Sequence, residues 1–234
     1  MTAEMRRAAI LVLASFVAAC DHGASQSQQK PAQPRTWPAG TVLAVDDTLI
    51  TSEEIDAVSV YTERIEPQSS APQLRRLALT NIVLPRVLSR LMAPQEREKA
   101  LEEAQSTLTS IKNGTLVLPL KPDGAYGEML TVGWPQLGIL PWGIAMDLDD
   151  GAWSEVIEDV GRFVLLKRVK RIDAPLPMAT QVQVDVLAFP WLPVATMRVD
   201  VEQEHDKHKL TIVDPAWNEI VPELIKYRMG VHTP

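Results

Sequence analysis

Residues 133–171 read "GWPQLGILPWGIAMDLDDGAWSEVIEDVGRFVLLKRVKR", and the organisation of the chain turns on them. Trp134, Leu140, Trp142 and Met146 stand in the first half of the stretch and Phe163 in the second. An aromatic residue and a methionine at helical spacing are most often core. The same side chains also suit a groove for proline or for an extended hydrophobic segment, because such ligands offer apolar surface and few polar groups. These five are the candidate substrate-binding residues. No histidine falls inside the stretch; the four in the chain are His22, His205, His208 and His232.

Moving upstream, "PQEREKALEEAQSTLTSIKNG" predicts a helix over 94–114, opened by Pro94 and acidic residues and ended by Asn113-Gly114. Ala100, Leu101, Ala104, Leu108 and Ile111 form its apolar face. Before it, Leu74, Leu77, Ala78, Leu84, Leu88 and Leu91 recur near helical period, with Pro85 expected to kink or split the helix. Further back, Val42–Val45 and Leu49-Ile50 are short strands around an Asp46-Asp47 turn. Thr51 is the expected N-cap of the next helix, with Glu54 completing a capping box.

Residues 133–171 resemble the second half of a parvulin-type peptidyl-prolyl isomerase domain, and with the helix before them the resemblance covers residues 95–171. There a Gly-Trp phrase leads to a short helix ending "A-x-x-L", then "G-x-x-S", then a strand hairpin ending "G-x-H-(I/V)-(I/L)-K-V". Gly133-Trp134, Ala145, Leu148, Gly151, Ser154, Gly161, Val164, Leu165 and Lys167 fit that order. The long helix of the family ends "I-K-x-G", as Ile111–Gly114 does here. "AVDDTLITSEEID" is similar to the opening of SurA- and PpiC-type periplasmic folding factors, with Asp46-Asp47 where asparagine and glycine are usual. The loop before Gly133 lacks the family's "F-x-x-L-A-x-x-x-S" helix.

The resemblance implies a proline site resting on two hydrogen-bonded histidines, and both are missing. The second position is Phe163; the first belongs to an opening strand of the type "R-H-I-L", whose nearest match, "SRLMA", has Leu91 after Arg90. Degenerate catalysis is the expectation. An active isomerase without histidines is the alternative, since isomerisation needs only a pocket that favours the twisted amide over a barrier of about 18–20 kcal/mol.

At the N-terminus, Arg6-Arg7, the apolar run Ala8–Val17 and the small residues before Cys20 have the order of an export signal. The apolar run is too short to span a bilayer. Val17-Ala18-Ala19-Cys20 resembles the bacterial lipobox, in which the cysteine is acylated and becomes the new N-terminus. Two or more acyl chains anchor a protein stably where one does not. Residues 1–19 are thus the expected signal peptide, Cys20 the lipidation site and 20–40 a Ser-, Gln- and Pro-rich tether. Asp21 resembles the enteric signal for retention in the inner membrane.

Downstream, "TQVQVDVLAF" alternates, with Val182, Val184 and Val186 on one face of a strand and Gln181, Gln183 and Asp185 on the other. Met197–Val201 and Lys209–Val213 read as a hairpin around a charged turn. A helix capped by Asp214 and Pro215 ends at Gly230, divided by Pro222. Within "EQEHDKH", His205 and His208 with Glu202 and Glu204 offer metal-ligand types, but a zinc site needs a third or fourth ligand and a solvated turn is the stronger reading. No metal or other cofactor is implied.

A formal net charge of −7 argues against nucleic-acid binding through bulk electrostatics, and a single cysteine excludes an internal disulfide. The expected fold is α+β: a SurA-like helical region over 41–93, a degenerate parvulin-like unit over 94–172, and a β-hairpin plus helix over 173–234. The expected function is a lipid-anchored folding or assembly factor on the periplasmic side of a bacterial envelope, with unfolded or assembling exported proteins as partners. A structural lipoprotein subunit of an envelope complex is the remaining alternative.

Overall fold

The computed structural model describes residues 36–116 and 126–231. The expected signal peptide, Cys20 and most of the tether lie outside the described residues. Within them the fold is α+β, with two antiparallel sheets.

The first sheet begins with β1 (Thr41–Val45), which turns through Asp46-Asp47 into β2 (Thr48–Thr51). Asp46 sits at φ +50°, a left-handed conformation that carries a steric cost for a residue with a Cβ. Its carboxylate holds the turn by accepting from the Lys209 backbone N–H at 3.0 Å and approaching His208 Nδ1 at 2.6 Å. Thr51 then caps α1 (Ser52–Glu63), its Oγ1 accepting from the Glu54 N–H at 3.1 Å. Only this half of the expected capping box forms. The Glu54 carboxylate is drawn instead to Arg86, 2.6 Å away.

The next helix is continuous from Ala71 to Met92. It comprises α2 (Ala71–Ala78), a π-helical turn (Leu79–Val83) and α3 (Leu84–Met92). Pro85 has no N–H, and its ring would clash with the carbonyl of an ordinary preceding turn. A widened turn in which the Leu84 N–H bonds to the Leu79 carbonyl precedes it. The helix is therefore re-registered rather than split. α3 also covers Ser89–Met92 of "SRLMA", so the opening strand that the parvulin resemblance implies there is a helix. α4 (Pro94–Lys112) follows as the sequence predicts, burying Ala100, Ala104 and Leu108, with Gly114 at φ +67° past its end.

The second sheet opens with β3 (Tyr126–Val132), in the region expected to be a loop. Two short helices, α5 (Trp134–Leu137) and α6 (Ile139–Asp147), lead to the hairpin of β4 (Ile157–Asp159) and β5 (Arg162–Ile172), and then to β6 (Gln181–Pro190). The strand order is β3-β6-β5-β4. β6, the last of these in sequence, therefore lies between β3 and β5. Phe163, Val164, Leu165 and Leu166 are buried in succession, so both faces of β5 are covered. Arg97 of α4 lies over the Phe163 ring at 5.4 Å, while Arg168 of β5 donates to the Met146 carbonyl of α6 at 2.9 Å. Side chains alternate along a strand, so these two contacts place α4 against one face and α6 against the other. The same two-sided burial explains β6, where Val182 and Val184 bury on one face and Leu187 and Phe189 on the other, leaving Val186 half-buried.

The C-terminal third departs from expectation. Met197–Val201, predicted as a strand, lies in α7 (Met197–Glu204), and the expected hairpin does not form. Only β7 (Leu210–Ile212) is extended, and it pairs with β1 to complete a β2-β1-β7 sheet. The helix expected after Asp214 is a short 3-10 turn followed by α8 (Glu223–Arg228), divided at Pro222 as predicted. The predicted blocks 41–93 and 173–234 are thus joined through one sheet, and 94–172 and 173–234 through the other. α1 and α6 pack so closely that a Cβ on Gly143 would lie 2.2 Å from the Tyr61 ring. The Gly143 carbonyl also accepts from Arg64 at 2.9 Å, fixing this crossing.

Candidate binding groove around Trp134

Of the five predicted groove residues, the structure brings only Trp134 to a concave surface. Leu140, Trp142, Met146 and Phe163 are core, and Trp142 is fully buried. The Trp142 indole N–H donates to the Thr180 carbonyl at 3.1 Å, so its one polar atom is satisfied inside the domain. Phe163 packs against Trp191 with the rings tilted at 48° and their centroids 4.8 Å apart, beneath Arg97. The position at which the parvulin resemblance implies a second histidine is therefore occupied by packed apolar surface. An open groove through all five does not form.

Trp134 is half-buried because of how its short helix is held. Gly133 precedes α5, and its N–H donates to the Gln136 side chain at 3.1 Å. Gly138 lies between α5 and α6 at φ +97°, which a side chain would strain, and allows an abrupt change of direction. The turn brings Trp134, Pro135 and Ile139 to the rim of a concavity of about 650 Å³. Facing them are Thr80, Asn81 and Pro85, presented by the π-helical turn and the start of α3. Val160 and Arg162 enter from the β4–β5 hairpin, and Met197, Arg198, Val201 and His205 from α7 and the turn after it. A smaller hollow of about 110 Å³ shares Asn81, Trp134 and Ile139 and reaches Ile65 and Leu77. Together they make a groove whose apolar lining comes mainly from Trp134, Pro135, Ile139 and Val160, with the polar Thr80 and Asn81 presented by the widened turn, a distortion frequent at functional sites.

Its rim charges are mostly neutralised. Asp159 accepts from Arg162 at 2.9 and 3.0 Å, and Glu202 pairs with Arg228, which also holds Asp206 at 2.9 Å. Arg198 is exposed and has no ionic partner among the described residues. Among the described residues that line the groove, no histidine or aspartate stands beside a nucleophile in a hydrogen-bonded pair.

"EQEHDKH" does not gather its side chains onto one point. His205 is buried at the groove and its Nδ1 meets the Glu202 carbonyl at 3.0 Å. His208 instead sits between Asp46 Oδ2, 2.6 Å from Nδ1, and Glu204 Oε1, 3.2 Å from Nε2. Among the described residues no group of three or more histidine, cysteine or acidic side chains is arranged to hold a metal. Burial acts against the Asp46 carboxylate, but hydrogen bonds from His208 and the Lys209 backbone hold its pKa below the usual range.

A second concavity, about 590 Å³, lies between α2 and the C-terminal 3-10 turn. Its arginines are already engaged: Arg75 pairs with Asp56 at 2.6 Å, and Arg76 donates to the Ile220 carbonyl at 3.1 Å. Sequence reasoning missed the contributions of the π-helical turn and of α7. The first had a signal in Pro85 inside a helical pattern. The second was hidden by the β-like "MRVDV", which folds as helix. Among the described residues no helix is long and apolar enough to cross a membrane. The chain matches no family model, and neither curated proteins nor solved structures yield a match.

Proposed function

We propose that the chain is a lipid-anchored folding or assembly factor of the bacterial periplasm that holds extended segments of exported proteins. The observation that carries this reading is the groove at Trp134. It is open, has an apolar lining and a polar rim, and contains no assembled catalytic group. Such a surface suits a chain segment with one or two large apolar or prolyl side chains. The Arg6–Cys20 pattern supports the anchor and the compartment. Descent from parvulin- and SurA-type factors belongs to the same proposal. It is supported by α4 ending at the "I-K-x-G" phrase and by the hairpin glycine, Gly161, at φ +65°. The helix at "SRLMA" stands against it.

The test is a titration of the domain from residue 36 on with unstructured peptides carrying an aromatic-proline pair. Saturable binding with Kd on the order of micromolar or weaker is expected, because ordering a flexible peptide offsets much of the contact free energy. Trp134→Ala should weaken it several-fold; because the indole also packs against the core, the variant's Tm should fall somewhat, and binding is measured well below it. A folded domain that shows no saturable binding to any such peptide would leave the structural-subunit reading in its place. Robust prolyl isomerisation of a tetrapeptide by the same domain would replace the holding function with a catalytic one.

A further inference from the structure

We propose that the groove selects segments in which the apolar or prolyl residue is flanked by a carboxylate, with Arg198 reading the charge and His205 accepting a backbone N–H. This rests on the groove being a peptide site. Its polar edge supplies the argument. Every other charged side chain on the rim is already paired: Asp159 with Arg162, and Glu202 with Arg228. Arg198 stands on α7 beside Met197, exposed and without an ionic partner among the described residues. An incoming carboxylate therefore meets one free guanidinium, and an incoming cation meets no free carboxylate on that rim.

The tautomer of His205 follows from its partner. Nδ1 faces the Glu202 carbonyl at 3.0 Å, and a carbonyl only accepts, so Nδ1 carries the proton. In the neutral ring Nε2 is then an acceptor, and among the described residues it has no hydrogen-bond partner. The residue is 6% exposed and lines the concavity. An acceptor left open at a groove can take a donor that a ligand brings. An extended segment offers its own backbone N–H groups. Proline has none, so the donor must come from the residue beside it.

Three otherwise identical peptides with an aromatic-proline core, flanked by Glu, Gln or Lys, test the proposal by calorimetry at low salt. The Glu peptide should bind roughly two- to five-fold more tightly than the Gln peptide, and the Lys peptide more weakly, as for an exposed ion pair. The preference should fall as salt is raised. Arg198→Gln should abolish the preference, so that the Glu and Gln peptides bind it alike. Equal binding of all three peptides to the wild type, or a preference that survives Arg198→Gln, overturns the charge selection while the groove reading stands. No saturable binding of any peptide overturns the groove reading itself. Long-range ¹H–¹⁵N spectra should show His205 as the Nδ1–H tautomer, with Nε2 shifting on peptide addition. An Nε2–H ring, or an unmoved Nε2 in the saturated complex, overturns the role given to His205.

Discussion

Replacing Glu158 by glutamine tests how the helical and sheet regions are held together. Its carboxylate accepts from Arg90 at 2.8 and 2.7 Å and from Arg97 at 2.8 Å. Arg90 lies 3.7 Å from Glu54, which is paired with Arg86, so one ionic cluster ties α1, α3 and α4 to β4. Breaking a buried ion pair costs about 3–5 kcal/mol, and an exposed one under about 1 kcal/mol. Glu158 is 16% exposed, whereas Arg90 and Arg97 are 26% and 27% exposed. The arginines can regain part of their hydration, so the expected loss lies between these limits, at about 2–3 kcal/mol. For a domain of this size that is about 5–10 °C in Tm. Burial alone would raise the Glu158 pKa, but hydrogen bonds from the two arginines hold it below its ordinary value. A depressed carboxyl stabilises the fold above its unfolded pKa, and the stabilisation is lost as pH falls through the folded value. Glutamine does not titrate, so the gap between wild type and variant should be full near pH 7 and narrow on acidification. Urea unfolding across that range measures it. A gap under about 0.5 kcal/mol, or one that does not change with pH, would refute the reasoning.

Three further perturbations follow from named contacts. Gly143→Ala should cost about 1–3 kcal/mol, because the added methyl meets the Tyr61 ring where α1 crosses α6; unchanged urea unfolding would mean that the crossing can shift freely. Trp142→Ala should lower stability by about 3–5 kcal/mol, since it opens a cavity and leaves the Thr180 carbonyl unpaired; a small effect in calorimetry would show that this side chain is not core. Cys20→Ser in the full chain should leave an unprocessed, unlipidated precursor, because serine offers no thiol for acyl transfer. Processing and carbonate-resistant membrane association of that variant would refute the anchor.

The sequence showed most clearly where local rules act alone. α4 has a proline start, an apolar stripe and a glycine stop, and all three signals agree. Thr51 and Asp214 cap as their chemistry dictates. Legibility failed where tertiary partners decide. "MRVDV" alternates like a strand, yet as α7 it puts Met197 and Val201 into the groove. β6 reads correctly as a strand, but nothing local places it in the middle of the sheet, and burial on both faces disrupts its alternation. The groove was half legible. The size and chemistry of Trp142 and Phe163 suit a ligand as well as they suit a core, and only packing separates the two. Trp134 escapes burial because Gly133 and Gly138 limit its helix to a single turn. Thr80 and Asn81 join it because Pro85 forces the widened turn before α3.

Client contact at the groove is most directly measured by placing a photo-crosslinking side chain at Asn81, which borders both hollows. The control is the same side chain at Leu176, a 62% exposed apolar residue between β5 and β6 that lines neither hollow. With a defined unfolded exported protein, the account expects adducts at position 81, competed by the aromatic-proline peptide, and few at position 176. Equal yields at both positions, or none at 81 from a folded protein, would contradict a client-holding groove.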